Sequence, residues 1–486
     1  MDERAKIKHL LRRFGFGAGK WEVESYLPLG LDGAIERLIE YEKVDERFPV
    51  SPWEFARDSE GALGFDPFRF ASWWGLRLLL THRPLQERLT LFWHDHFAVS
   101  GAKVFDGPAM VFYQETLRKH AAGNFRDLLK GVCREPAMMF WLDNAQSVKD
   151  HPNENFAREL LELFTMGGGY TEKDIFEVAR AFTGWSVHFG GLGDESEFYK
   201  QQEAAARKGR SVFNFCVVPA FHDEGPKTIL GKTGPFGGEE VLDLVAERPE
   251  TARTIVRKLW EWFAYPDPDP SVVERLAGVF TRSGMQIRPV LRSILASDEF
   301  WSEKCVHGRP KSPIDFTLGL FRSLALSEVL LALRGQPTDP FQSLRKEVRG
   351  AADGLSFLMN GQGFLPHFPP DVGGWEWGEN WLTSNNMKLR IQHADILFWG
   401  DDPNRPIAVY LAQRLKTEFA PKSAGEIVDA LAEVFDAEVS PRSRDTLLEA
   451  CARAGGPSAL DEKDRAAGLF ATVCRVLFAS PEFQLC

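Results

Sequence analysis

Apolar residues recur at three- and four-residue spacing along most of the chain, and that recurrence predicts a mainly α protein. The stretch 3–14 reads as a helix, with Leu10, Leu11 and Phe14 on one side and Arg12 and Arg13 basic. A second helix covers 30–42, and a proline-bearing connector covers 45–65. Helices over 68–81 and 84–97 are split by the Arg83-Pro84 break, and further helices follow over 108–122 and 124–133. In 153–166, Phe156, Leu160, Leu163 and Phe164 give an apolar face; Asn153 or the Pro152 turn opens this helix, and Gly167-Gly168-Gly169 closes it. A capping pattern, Thr171 with Asp174 three positions on, starts the helix 171–182. Helices resume over 238–246, 250–263, 270–283, 287–297 and 312–324, and again over 387–416 and 424–484.

Two stretches break the period. Residues 186–230 alternate weakly (VHFG, FYK, VFNFCVV) and read as a strand-and-loop insertion holding a small antiparallel hairpin, with the polar run EAAARKGR as a mobile tip. Residues 335–386 are rich in Gly, Pro and Trp and read as a long aromatic coil of the kind that forms lids or binding platforms. The expected architecture is one large helical bundle domain over 1–486 with a small β-hairpin insertion, the Gly/Pro/Trp-rich coil and a C-terminal helical part over 387–486.

Composition narrows this picture. A hydrophobic content of 44% is enough for a sizeable core. The net charge of −11 argues against a general nucleic-acid binder, which needs a basic face. No apolar run is long enough to span a bilayer, and the first residues enter folded-domain sequence without an apolar signal core, so a cytoplasmic, non-membrane protein is expected. Cys133, Cys216, Cys305, Cys451, Cys474 and Cys486 form no CxxC pair and read as reduced, packed thiols.

Candidate chemistry centres on two helices. Glu87, His94 and His96 come from the segment 84–97, and Glu159 and Glu162 from 153–166. Neutral imidazoles and carboxylates suit iron, manganese or zinc, and one helix can present such ligands at i, i+3, i+4 or i+7. His222, beside Asp223 at the end of the insertion, is a further candidate ligand. Asn155, Asp95 and Glu154 are candidate orienting groups. The alternative is a buried ionic network, with Glu159 paired to Arg158 or Arg180 and His94 bonded to a carbonyl. Two adjacent carboxylates also admit acid–base catalysis without a metal. Trp375, Trp377 and Trp381, with Phe364 and Phe368, either stack on a sugar or peptide or plug the coil into the core. Lys103, Lys149 and Lys227 are candidate contacts for an anionic substrate.

The run NENFARELLELFTMGGGYTEKDIFEVARAFTGW (153–185) resembles the hallmark of a large bacterial family known as domain of unknown function number eighteen hundred. HLLRRFGFG (9–17), LFWHDHFAVSGAKV (91–104), FHDEGPKTILG (221–231) and LFASPEFQ (477–484) agree with it in order, so the likeness covers nearly the whole chain. The resemblance implies no catalytic residues; it suggests a sulfatase-like protein partner.

Two classes of function follow as expectations. The first is a metal-dependent enzyme with a divalent ion at Glu87, His94, His96, Glu159, Glu162 and His222. A non-haem iron or manganese oxidoreductase leads, and a zinc- or manganese-dependent hydrolase is the alternative. In it Glu154, Glu162 and Lys149 are the catalytic candidates, and Trp375, Trp377, Asn155 and Arg158 meet a small-molecule, peptide or glycan substrate. The second is a non-catalytic binding or scaffold protein.

Overall fold

The computed structural model describes residues 1–58, 61–190, 195–399 and 406–486. Among them helices dominate, and the strands form only two antiparallel pairs. The main core draws on residues from Ile7 to Trp381, around Trp73, Trp74, Trp93, Phe97, Phe125 and Trp260, all buried. A second apolar cluster is built by the C-terminal helices, including Ala424–Val434, Pro441–Arg453 and Lys463–Ala479. The helix Pro313–Ser323 serves both: Ile314 and Leu318 pack into the first cluster, and Phe316 and Leu320 into the second.

Local chemistry explains the ends of the central helix. Asn153 is extended, and its side-chain oxygen accepts from the N–H groups of Asn155 and Phe156. Gly167 closes the helix at φ 70°, a left-handed conformation that glycine adopts without strain. Between them the expected single helix is α over Glu154–Glu159 and π over Leu160–Thr165. The wider turn changes which side chains face inward after Glu159.

The insertion differs from expectation in three ways. Strands Trp185–Phe189 and Phe213–Val217 pair antiparallel, but a helix, Glu195–Ala206, stands between them. The polar run expected as a mobile tip is tied down: Glu203 bonds Arg57, and Arg207 bonds Glu203 and Asp339. A second hairpin, Lys227–Ile229 with Lys232–Gly234, straddles the expected boundary; Leu230 and Gly231 both take positive φ at its two-residue turn.

The aromatic coil is also shorter than expected. Lys346–Gly361 is a 16-residue helix whose Val348, Ala352, Leu355 and Met359 are buried at helical spacing. It packs on the helix Pro67–Leu80 where Gly75 lets Met359 and Leu355 approach. The remaining coil, 362–383, folds back over the helix Pro84–His96. No helix among the described residues is long and apolar enough to cross a membrane.

Candidate functional site

The helix Pro84–His96 lies in the core, and its polar residues must each be satisfied there. Glu87, fully buried, shares a face with His94 but is taken up by other partners. Its Oε1 accepts from Arg77 Nε at 2.8 Å and Arg118 Nε at 2.6 Å; its Oε2 accepts from Arg118 Nη2 at 3.0 Å and the Trp74 indole at 3.1 Å. Burial pushes this carboxyl up, but Arg118 and then Arg77 outweigh it and hold it down at about 2. The geometry is that of a buried ionic network, with no lone pair presented to an ion.

Asp95 and His96 point to a different place. Asp95 Oδ1 accepts the Trp375 N–H at 2.8 Å and so clasps the coil. Burial pushes Asp95 up to about 7, against the Trp375 N–H, the Lys258 charge and the Trp377 indole. The clasp needs glycine at 374: a Cβ there would lie 2.4 Å from Asp95 Oδ1, and φ is +92°. His96 Nε2 lies 3.1 Å from the Phe164 carbonyl. A carbonyl only accepts, so Nε2 carries the proton and Nδ1 is left as an acceptor. Lys258 Nζ donates to that Nδ1 at 3.3 Å and to the Leu163 carbonyl at 3.2 Å. Burial lowers Lys258, Asp95 opposing; burial also keeps His96 well below the usual histidine range, helped by the Lys258 charge.

Lys258 sits on the helix Pro249–Phe263 with Glu261 and Trp262, and the three open onto a cleft of ≈620 Å³. Asp95, His96, Arg309, Trp377 and Glu379 complete its lining. Trp377 is 40% exposed and meets Trp262 edge-on at 4.6 Å, forming an aromatic wall. Arg309 is committed elsewhere, donating to the Trp262 carbonyl and to Asp315. Burial raises the Glu261 carboxyl, with Arg257 opposing. Among the described residues no carboxylate lies within ion-pair distance of Lys258, although the charges of Asp95 and Glu261 bear on it from further off, and its bonds go to two neutral acceptors.

The other expected ligands lie elsewhere. The central helix turns Phe156, Ala157, Leu160, Leu161 and Phe164 inward, so its carboxylates face outward. Glu154, Asn155 and Glu162 are exposed, and Glu159 is half-buried. Burial raises Glu159, Glu162 adds to this, and Arg158 opposes. Arg158 pairs with Glu172 at 2.7 Å on the surface. The helix meets the imidazole of His96 through the Phe164 carbonyl and the Phe164 ring and, among the described residues, through none of its carboxylates. His222 Nδ1 bonds the Thr183 carbonyl at 2.8 Å, and Lys149 is exposed beside it. Glu87, His94, His96, Glu159, Glu162 and His222 therefore do not converge, and among the described residues no three His, Cys, Asp or Glu side chains are grouped to hold an ion. Trp375 is buried and stacks on Phe364 at 4.0 Å, so it plugs the coil into the core.

Sequence reasoning missed Lys258, Glu261 and His367. KLWEWF held a signal for the first two: a lysine and a glutamate three apart inside an otherwise apolar helical run. His367, fully buried beside Trp74 and His94, had none.

No curated protein and no solved structure matches the chain. One family model does, over residues 9–485, and the chain accordingly belongs to the family described as protein of unknown function DUF1800.

Proposed function

We propose that the protein is an enzyme acting on a small substrate that carries an anionic or carbonyl oxygen, bound in the cleft at Lys258 between Trp262 and Trp377. The observation that supports this is a largely buried ammonium with no carboxylate within ion-pair distance among the described residues, at the floor of a concave, aromatic-walled cleft. A buried cation is costly unless paired, so the site gains when a ligand supplies the missing negative charge. His96, fixed as the Nε2–H tautomer by Phe164, holds the amine in place through Nδ1. Trp377 and Trp262 offer apolar faces to the body of the substrate.

The metal-dependent readings, an iron or manganese oxidoreductase and a zinc or manganese hydrolase, require carboxylates of the central helix to meet His94 on one ion. The outward placement of Glu159 and Glu162 gives that ligand set no support. A second reading, docking of a protein partner of the sulfatase-like kind, draws on the stripe of Glu154, Asn155 and Glu162 exposed on one helix.

Thermal-shift screening of small carboxylates, phosphates and neutral sugars tests the proposal. Anions at about 100 times their Kd should stabilise the wild type by about 2.7 kcal/mol, and Lys258→Met should abolish the response. Stabilisation by neutral sugars alone, or an equal anion response in a folded Lys258→Met protein, would sink it.

A further inference from the structure

The lining of the Lys258 cleft narrows the kind of anion it takes, an inference that rests on the reading of that cleft just given. An ammonium has three N–H donors. Two of those on Lys258 go to His96 Nδ1 and the Leu163 carbonyl, so one remains, enough for a single oxygen of a ligand. The other basic groups of the lining are committed. Arg309 donates to the Trp262 carbonyl and to Asp315, and His96, kept neutral by burial, gives its one proton to the Phe164 carbonyl.

Acceptors surround that one donor. Asp95, Glu261 and Glu379 line the same cleft, and the charges of Asp95 and Glu261 reach Lys258. A ligand with two charges would face these carboxyls with one ammonium to hold it, in a space where like charges repel strongly. A phosphate monoester, at about −1.5 to −2 near neutrality, is disfavoured on that ground. One negative charge flanked by hydroxyl groups fits: the charge meets Lys258, and the hydroxyls donate to the carboxyls. An acid without hydroxyls, aliphatic or aromatic, would strip water from those carboxyls and leave them without donors.

The walls set the shape of the rest. Trp377, largely open to solvent, crosses Trp262 at 69°, so the two indoles form a corner. The face of an indole is electron-rich and attracts polarised C–H groups. A pyranose presents such C–H groups on its flat sides and its hydroxyls around its edge. Laid on Trp377, it keeps those hydroxyls free for the carboxyls. The cleft, at ≈620 Å³, lies within the range of about 300–1,000 Å³ usual for small-molecule sites. We infer that the cleft binds a sugar carrying one singly charged acid group, with that group on Lys258 and a pyranose face on Trp377. A uronate or a sulfate half-ester supplies such a charge.

Calorimetric titration of the full chain with methyl pyranosides, whose rings cannot open, tests this. The uronates and 6-sulfates of galactose and glucose are compared with the neutral parent glycosides, their 6-phosphates, acetate and benzoate. At least one singly charged sugar should bind about tenfold or more tighter than its neutral parent, its 6-phosphate, acetate and benzoate. Whether uronates or sulfates lead tells which acid supplies the charge. Trp377→Ala should weaken that sugar about tenfold and leave acetate unchanged, and Trp377→Phe should restore most of the loss. Both variants lack the indole that meets Asp95, so the difference between them reads the ring face alone. Lys258→Met should bring the charged sugar to the level of its neutral parent. Acetate or benzoate binding as tightly as the best charged sugar, and through Lys258, would overturn this inference while the anion cleft stands. Tighter binding of the 6-phosphates, or equal loss of sugar and acetate in Trp377→Ala, would also overturn it. No binding of any anion would overturn the cleft reading and this inference together.

Discussion

Replacing Glu87 by glutamine keeps the shape of the side chain and removes its charge, which isolates the electrostatic role of the buried network. The carboxyl is held at about 2 against an ordinary 4.5. At about 1.4 kcal/mol per pH unit, that preference for the ionised form is worth about 3 kcal/mol. Breaking a buried pair also strands the remaining partners, here Arg77 and Arg118, and such losses run to about 3–5 kcal/mol. We expect Glu87→Gln to cost about 3–5 kcal/mol at pH 7. Hydrogen exchange in the helices Pro67–Leu80, Pro84–His96 and Gly107–Lys119 reads this locally, as a fall in protection of about 150-fold or more. The sign of the pH dependence follows from the depressed value. The contribution is whole above about 4.5 and lost as pH falls toward 2, so the gap between wild type and variant should narrow from pH 5 to pH 3. A cost below about 1 kcal/mol at pH 7, or a gap that does not change on acidification, would refute the network as described.

Three further outcomes are expected. Gly374→Ala should cost about 1–3 kcal/mol and make the coil 362–383 markedly more sensitive to limited proteolysis, because the new Cβ meets Asp95 at 2.4 Å and φ is +92°. Glu162→Gln, on an exposed position, should change the free energy of unfolding by no more than about 0.5 kcal/mol, measured by denaturant titration, and a larger loss would mean that the central helix buries this carboxylate after all. His9, held down at about 3 by burial first and then by Arg13, is neutral in the fold; its contribution is whole above about 6.5 and lost as pH falls toward 3. Substituting His9→Phe should therefore lower the steepness of stability against pH between 6 and 4 by about 1.4 kcal/mol per pH unit, measured by denaturant titration at each pH.

The helices of the first half were legible because their apolar residues keep strict spacing and their caps are explicit, as at Asn153 and Thr171. The helix Lys346–Gly361 carries the same spacing, but its glycines and the surrounding Gly/Pro/Trp composition pull a local reading toward coil; burial against Pro67–Leu80 overrides that propensity. The site was harder to read for a geometric reason. On the central helix, spacing places Glu159 and Glu162 together and Phe156, Leu160, Leu163 and Phe164 on the apolar side, but over the π turn Leu161 is buried and Leu163 only half-buried. On the Pro84–His96 helix, the HxH pair reads as one ligand set, whereas consecutive core contacts send its members to different partners: His94 to His367, Asp95 to the coil and His96 to Lys258. Those partners lie 162 residues or more further along the chain, and no local pattern announces them.

The two-faced helix Pro313–Ser323 sets an order of events during synthesis. Until its last turn leaves the ribosome, the N-terminal core lacks one wall; afterwards Phe316 and Leu320 stay wet until the helices that cover them, ending with Lys463–Ala479, have been made. A nascent chain stalled after Trp381, which completes the first core, and before those helices are made would display a greasy ridge on an otherwise finished body, and that ridge is where a chaperone would hold it.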